Sequence, residues 1–149
     1  MLKPRICFAV AVLLLLFGIS VKLAANDEKS PNEETRAKAV NVVRLINTAE
    51  LRYSAGTTKG AGDAHGRYAS WDELYSSGLL KSAQDRWPIV KDLQISSSPE
   101  LMPGYLLVLL VSSDGKSYSV ALHDKRDGDG LFSVFSDQNG IIFLGSPLQ

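Results

Sequence analysis

Residues 35–53 run without a glycine or proline, and within them Ala39, Val42, Val43, Ile46, Ala49 and Tyr53 recur at spacings of three and four. Side chains at those intervals share one face, so the pattern predicts a long helix with a single apolar stripe. A stripe of that kind has to be covered by another element, which limits what the rest of the chain can build. Just ahead of it, Ser30 can accept from the amide three residues on, Pro31 suits the first helical position, and Glu33 can close a capping box. Gly56 ends the helix, and residues 56–66 read as a Gly/Ala/Thr loop. Arg44, Glu50 and Arg52 are read as rows of charge on the helix surface, where a pair contributes only about 0.2–0.5 kcal/mol.

The covering element comes from the second half. Ser70-Trp-Asp-Glu73 forms another capping box, opening a short helix that Gly78 can close with a left-handed turn. Residues 81–103 contain Pro88, Pro99, Pro103 and a serine run, and are read as mostly irregular with a short strand at 89–95. From Gly104 the period changes. Residues 105–111 are a seven-residue apolar run suited to a buried strand, and Asp114-Gly115 is a hairpin turn. Residues 117–123 alternate, with Tyr118, Val120 and Leu122 on one side. A polar loop at 124–130, a third strand at 131–135, a turn at 137–140 and a fourth strand at 141–144 complete an antiparallel meander. The expected fold is α+β, a long N-terminal helix on a four-stranded antiparallel sheet.

At the front, residues 1–5 are a short basic lead and residues 6–21 an uncharged apolar run ended by Lys22. With Leu23-Ala-Ala25 as a small-residue exit, residues 1–25 read as a secretory signal peptide. An uncleaved anchor is the alternative, although a spanning helix wants about 20 apolar residues. Residues 26–30 are a polar linker and 31–149 a single domain. Cleavage would remove the only cysteine, Cys7, so the domain would fold without disulfides. It would also leave thirteen basic against sixteen acidic groups, a net of −3, which argues against nucleic acid or anionic lipid as a partner.

This arrangement resembles the globular head of type IV pilins and pseudopilins. The resemblance rests on Arg44-Leu-Ile-Asn-Thr-Ala-Glu-Leu-Arg-Tyr53 in the helix and on Tyr68-Ala-Ser-Trp-Asp-Glu-Leu74 as a following short helix. It continues through the strand start Gly104-Tyr105 and the late turn Ser136-Asp-Gln-Asn-Gly140-Ile-Ile142, spanning residues 36–144. The front departs from the family. A pilin precursor is cut before a Phe-starting apolar helix with glutamate at its fifth position, which runs unbroken into the head. Residues 6–21 contain no acidic residue, and the linker ending at Pro31 separates them from the helix. Set beside the family, the chain therefore looks like a pilin head detached from its polymerising stem.

Chemistry is sparse. Asp124, Asp127 and Asp129 in a Gly-containing loop are weak calcium candidates, as some pseudopilins bind calcium near this part of the sheet. Lys125 and Arg126 interrupt the set, and Asp and Gly are what any turn prefers, so no metal or other cofactor is assigned. His65 and His123 are too far apart in sequence to suggest a metal site and are read as surface residues; His123 beside Asp124 could pair as base and orienter but has no nucleophile motif. Ser112, Ser113, Ser117, Ser119, Ser133 and Ser136 fit a half-exposed sheet, and Trp71 and Trp87 fit loop anchors. No catalytic residues are assigned. The expectation is an exported, non-enzymatic protein of the periplasm or cell envelope with protein partners such as pilus or secretion components. The alternative is a small periplasmic or secreted ligand-binding domain of the same architecture. Membrane contact follows only if the N-terminal segment is retained.

Overall fold

Helix α1 occupies Pro31–Ser54, and the residues expected to face a core, Ala39, Val42, Val43, Ile46, Ala49 and Tyr53, are all buried along it. Leu45 is buried with them and widens the stripe beyond the sequence expectation. Glu33 and Glu34 in the first turn and Arg52 in the last complement the helix dipole. The computed structural model describes residues 31–56, 66–125 and 132–145. The signal-peptide and linker readings, Ser30, and most of the 56–66 loop including His65 lie outside the described residues.

Two short helices follow, α2 at Trp71–Ser76 and α3 at Leu79–Gln84. The capping box at α2 is complete. Ser70 Oγ accepts from the Glu73 N–H at 3.4 Å, and Glu73 Oε2 accepts from the Ser70 N–H at 2.9 Å. Gly78 then takes φ 71°, a left-handed value that an L side chain resists, and turns the chain directly into α3.

The strand expected at 89–95 does not form. Pro88 opens a 3-10 turn, Pro88–Val90, where its fixed φ and missing N–H favour a turn over a ladder. The carbonyls a neighbouring strand would engage are taken by one side chain. Gln84 Nε2 donates to Val90, Lys91 and Leu93 C=O at 2.8, 3.1 and 2.9 Å. Gln84 is buried, and this amide holds the irregular segment to the core.

Four strands, β1 (Tyr105–Val111), β2 (Tyr118–Asp124), β3 (Ser133–Asp137) and β4 (Phe143–Gly145), form one antiparallel sheet in that spatial order. The first two match expectation closely. The β1–β2 loop closes with Gly115 at φ 68° and its N–H on Ser112 C=O at 2.8 Å. The last two begin two residues later than expected. Ser136 Oγ donates to Ile141 C=O, which joins the turn residues to β3 and delays β4 to Phe143. The fold is α+β with a four-stranded antiparallel sheet.

A single apolar cluster contains Val42, Ile46 and Ala49 of α1, Leu74, Leu80 and Ala83 of the short helices, and Leu107, Val120, Leu122 and Val134 of the sheet. Full burial of each larger aliphatic side chain contributes about 1.5–3 kcal/mol. A polar relay also links α1 to the strands. Tyr118 OH donates to Asn47 Oδ1 at 2.9 Å, and Asn47 Nδ2 donates to Ser136 Oγ at 2.7 Å.

Candidate functional site

The seven apolar residues of β1 are not buried on both sides. Tyr105 and Leu107 face the core, while Leu106 and Leu110 stay 47% and 63% exposed. Residues directly opposite in an antiparallel sheet share a face. The register therefore sets out the outer surface in rows: Leu106 beside His123 and Ser133, Val108 beside Ala121, Phe135 and Phe143, and Leu110 beside Ser119 and Asp137. Phe143 is 57% exposed, so both borders of this face are apolar. Isolated exposed leucines are ordinary. Here an apolar central row of Val108, Ala121, Phe135 and Phe143 is flanked by Leu106 and Leu110, with His123, Ser119 and Asp137 beside it. A patch of that kind suits a contact surface.

His123 and Asp124 do not work together, because successive strand residues point to opposite faces. His123 lies on the outer face and is half-buried rather than fully exposed; its Nδ1 is 2.9 Å from Ser133 Oγ and its ring meets Phe135 edge-on at 5.3 Å. Asp124 is buried on the core side and accepts from Tyr105 OH at 3.1 Å. Asp127 and Asp129 lie outside the described residues. No cluster of three or more metal-ligating side chains occurs among the described residues. Ser133 and Ser136, expected on a half-exposed surface, are buried, because each hydroxyl has a specific partner.

Glu50 is the main correction to the sequence reading. It is fully buried rather than part of a solvent-facing charged row. Its place was readable from spacing, since position 50 follows Val43 and Ile46 at helical intervals on the apolar face. Glu50 Oε2 accepts from the Ala69 N–H at 2.9 Å, while Oε1 is buried with no hydrogen-bond partner among the described residues. Burial pushes this carboxyl up to about 7, opposed by the Ala69 bond and reinforced by the nearby Glu73 charge.

Glu73 has the opposite environment. Arg67 Nη2 bonds its Oε1, and its Oε2 accepts from Arg67 Nη1, the Ser70 N–H and the Ser70 hydroxyl. Arg67, ahead of the Ser70 amide and hydroxyl, pulls this carboxyl down to about 2. Tyr53 OH is 3.0 Å from Arg67 Nη2 and 3.3 Å from Glu73 Oε1, and the guanidinium lies over the Tyr53 ring. These bonds fix residues 66–70 between α1 and the β1–β2 hairpin, with Tyr68 N–H donating to Gly115 C=O at 2.8 Å.

Beside this segment is an open groove of about 240 Å³ lined by Asn47, Leu51, Tyr68, Tyr118 and the turn residues Gln138 and Asn139. It falls below the roughly 300–1,000 Å³ of typical small-molecule pockets. Trp71 anchors its helix as expected, donating from Nε1 to Ser96 C=O at 3.3 Å, and Trp87 packs partly buried against the core. Among the described residues no helix is long and apolar enough to cross a membrane. Comparison with family models, with curated proteins and with solved structures gave no match.

Proposed function

We propose that this is an exported, non-enzymatic protein whose pilin-like head acts through protein–protein contact at the cell envelope. In this reading α1 lies across the meander as it does in pilins and pseudopilins. The Asn47 relay to Tyr118 and Ser136 supports that placement. Residues 1–25 direct export, and the polar linker separates the head from any polymerising helix. The partners are envelope proteins of a pilus or secretion-related system.

The observation that carries the reading is the apolar outer face of the sheet, bordered by Leu106 and Leu110 on one side and Phe143 on the other. Its chemistry suits a protein surface better than a soluble metabolite. The shallow groove at Tyr68 and Tyr118 offers only weak support for the alternative, a periplasmic ligand-binding domain.

A photo-crosslinking residue at Leu110 tests the reading in the native cell. Capture of one envelope protein, lost when Leu106 and Phe143 are changed to serine, is the expected outcome. Absence of any captured protein at Leu110 and Phe143 would overturn it. N-terminal sequencing of the exported chain should begin at Asn26.

A further inference from the structure

β1 is the longer edge of the sheet, and the register fixes which of its backbone groups are free to pair. Ser112 N–H donates to Ser117 C=O at 2.9 Å, so these two form a hydrogen-bonded pair at the hairpin. Such pairs recur at every second residue of an antiparallel ladder. Leu106, Val108 and Leu110 therefore direct their N–H and C=O groups toward β2. On the other side of β2, Asp124 N–H donates to Phe132 C=O at 3.2 Å, which requires the same parity. Leu107, Leu109 and Val111 must point theirs outward. Among the described residues, no backbone hydrogen bond joins these three to another segment.

Natural edges are commonly blunted by a charge, a proline or a bulge. β1 has none of these, since it reads YLLVLLV and its register with β2 is unbroken. We infer that β1 pairs antiparallel with β1 of a second copy of this chain, across a two-fold axis at Leu109, joining the two sheets into one. Leu107 then lies opposite Val111 of the second copy, and Leu109 opposite its own counterpart. All three outward pairs are matched, closing about six backbone hydrogen bonds. Val108 meets Leu110 on the outer face, so the apolar surface continues across the junction.

Charge identifies a second copy as the occupant. The neutral strands bring no like charges together along their length. Beyond the strand ends, the same register carries Asp114 toward Gly104 of the other copy. Lys125 stands beside Gly104, its N–H on that carbonyl at 2.8 Å. Each end of the shared ladder thus brings an acidic residue of one copy toward a basic residue of the other. An unrelated strand need not supply this complement. The pairing uses the sheet edge, whereas the functional reading concerns a foreign partner on the sheet face, so either can fail alone.

Two measurements test the pairing on the exported protein. Sedimentation across concentrations up to about 1 mM, the upper end of weak affinities, should show a monomer–dimer equilibrium. Leu109→Pro, which removes an outward N–H without touching the β2 ladder, should weaken it at least about tenfold. Independently of how that variant folds, Val108→Cys and Leu110→Cys chains in a Cys7→Ser background should form a disulfide when mixed. Each alone should cross-link poorly, since like residues sit on the diagonal about 7–8 Å apart, beyond easy disulfide reach. A monomer at every concentration would overturn the pairing. Equal cross-linking by the single-variant chains, or capture of only a foreign protein by a photo-crosslinker at Leu109, would do the same.

Discussion

Glu50 and Glu73 are the same residue type and stand close enough to influence each other, yet their carboxyls are driven in opposite directions. Glu50 sits in the α1 core with one oxygen on the Ala69 amide and the other without a partner among the described residues, and it rises to about 7. Glu73 sits at a helix start with Arg67 and the Ser70 cap around it, and it falls to about 2. Desolvation opposes the charged form, while paired donors favour it. The difference shows that two carboxyls of one type are set apart by their surroundings: burial raises Glu50, and the Arg67 guanidinium with the Ser70 cap lowers Glu73.

Titration separates the two carboxyls most strongly. A carboxyl raised from 4.5 to about 7 on folding favours the native state at low pH, and that advantage disappears as pH rises through this window. The expected loss is on the order of 3 kcal/mol, from about 1.4 kcal/mol per unit. Glu50→Gln should flatten this limb while keeping the Ala69 bond, as read by urea melts at pH 4.5, 5.5, 6.5 and 7.5; an unchanged slope would refute the assignment. Glu73 has the reverse sign, because its contribution is present above 4.5 and is lost as pH falls toward about 2.

Smaller changes sharpen the contrast from the Glu73 side. Arg67→Met should destabilise by about 1 kcal/mol at neutral pH, the modest value reflecting a partly exposed pair. It should also shrink the acid limb below pH 4.5, while Glu50, losing a nearby positive charge, keeps its limb and moves further up. Ser70→Ala should cost about 1 kcal/mol through loss of the α2 cap, seen as a lower melting temperature with no change between pH 5 and 7. Tyr53→Phe removes the 3.0 Å bond from Arg67 Nη2 and the long 3.3 Å contact with Glu73 Oε1, both at a partly exposed ion pair, and should cost about 0.5 kcal/mol. A larger effect would mean that Tyr53 helps hold Arg67 in position.

Several of these features were legible beforehand because their signals are local. The Ser70–Glu73 box, the stripe from Ala39 to Tyr53, and the turns at Gly115 and Gly140 follow from short-range spacing and backbone freedom. The 89–95 segment misled because the Val90, Lys91 and Leu93 carbonyls share the two N–H hydrogens of Gln84, a residue outside that segment. Glu50 had the right spacing for the core, but its chemistry argued for the surface. The Ala69 amide, nineteen residues away, offsets part of the cost of that burial. The outer sheet face was missed because an unbroken apolar strand reads the same whether one side or both are covered.

Local pattern was enough for the apolar stripe of α1, the α2 capping box, the hairpin turns and the strand-rich second half, since each depends on neighbours a few residues apart. The sequence also supplied the pilin-like reading and the export signal, both of which stand as proposals. Tertiary structure decided which face of β1 is covered, which carboxyl is buried and which strand forms the long open edge. Those outcomes depend on contacts between distant segments, where desolvation and hydrogen-bond partners are set by the packed chain and not by local pattern.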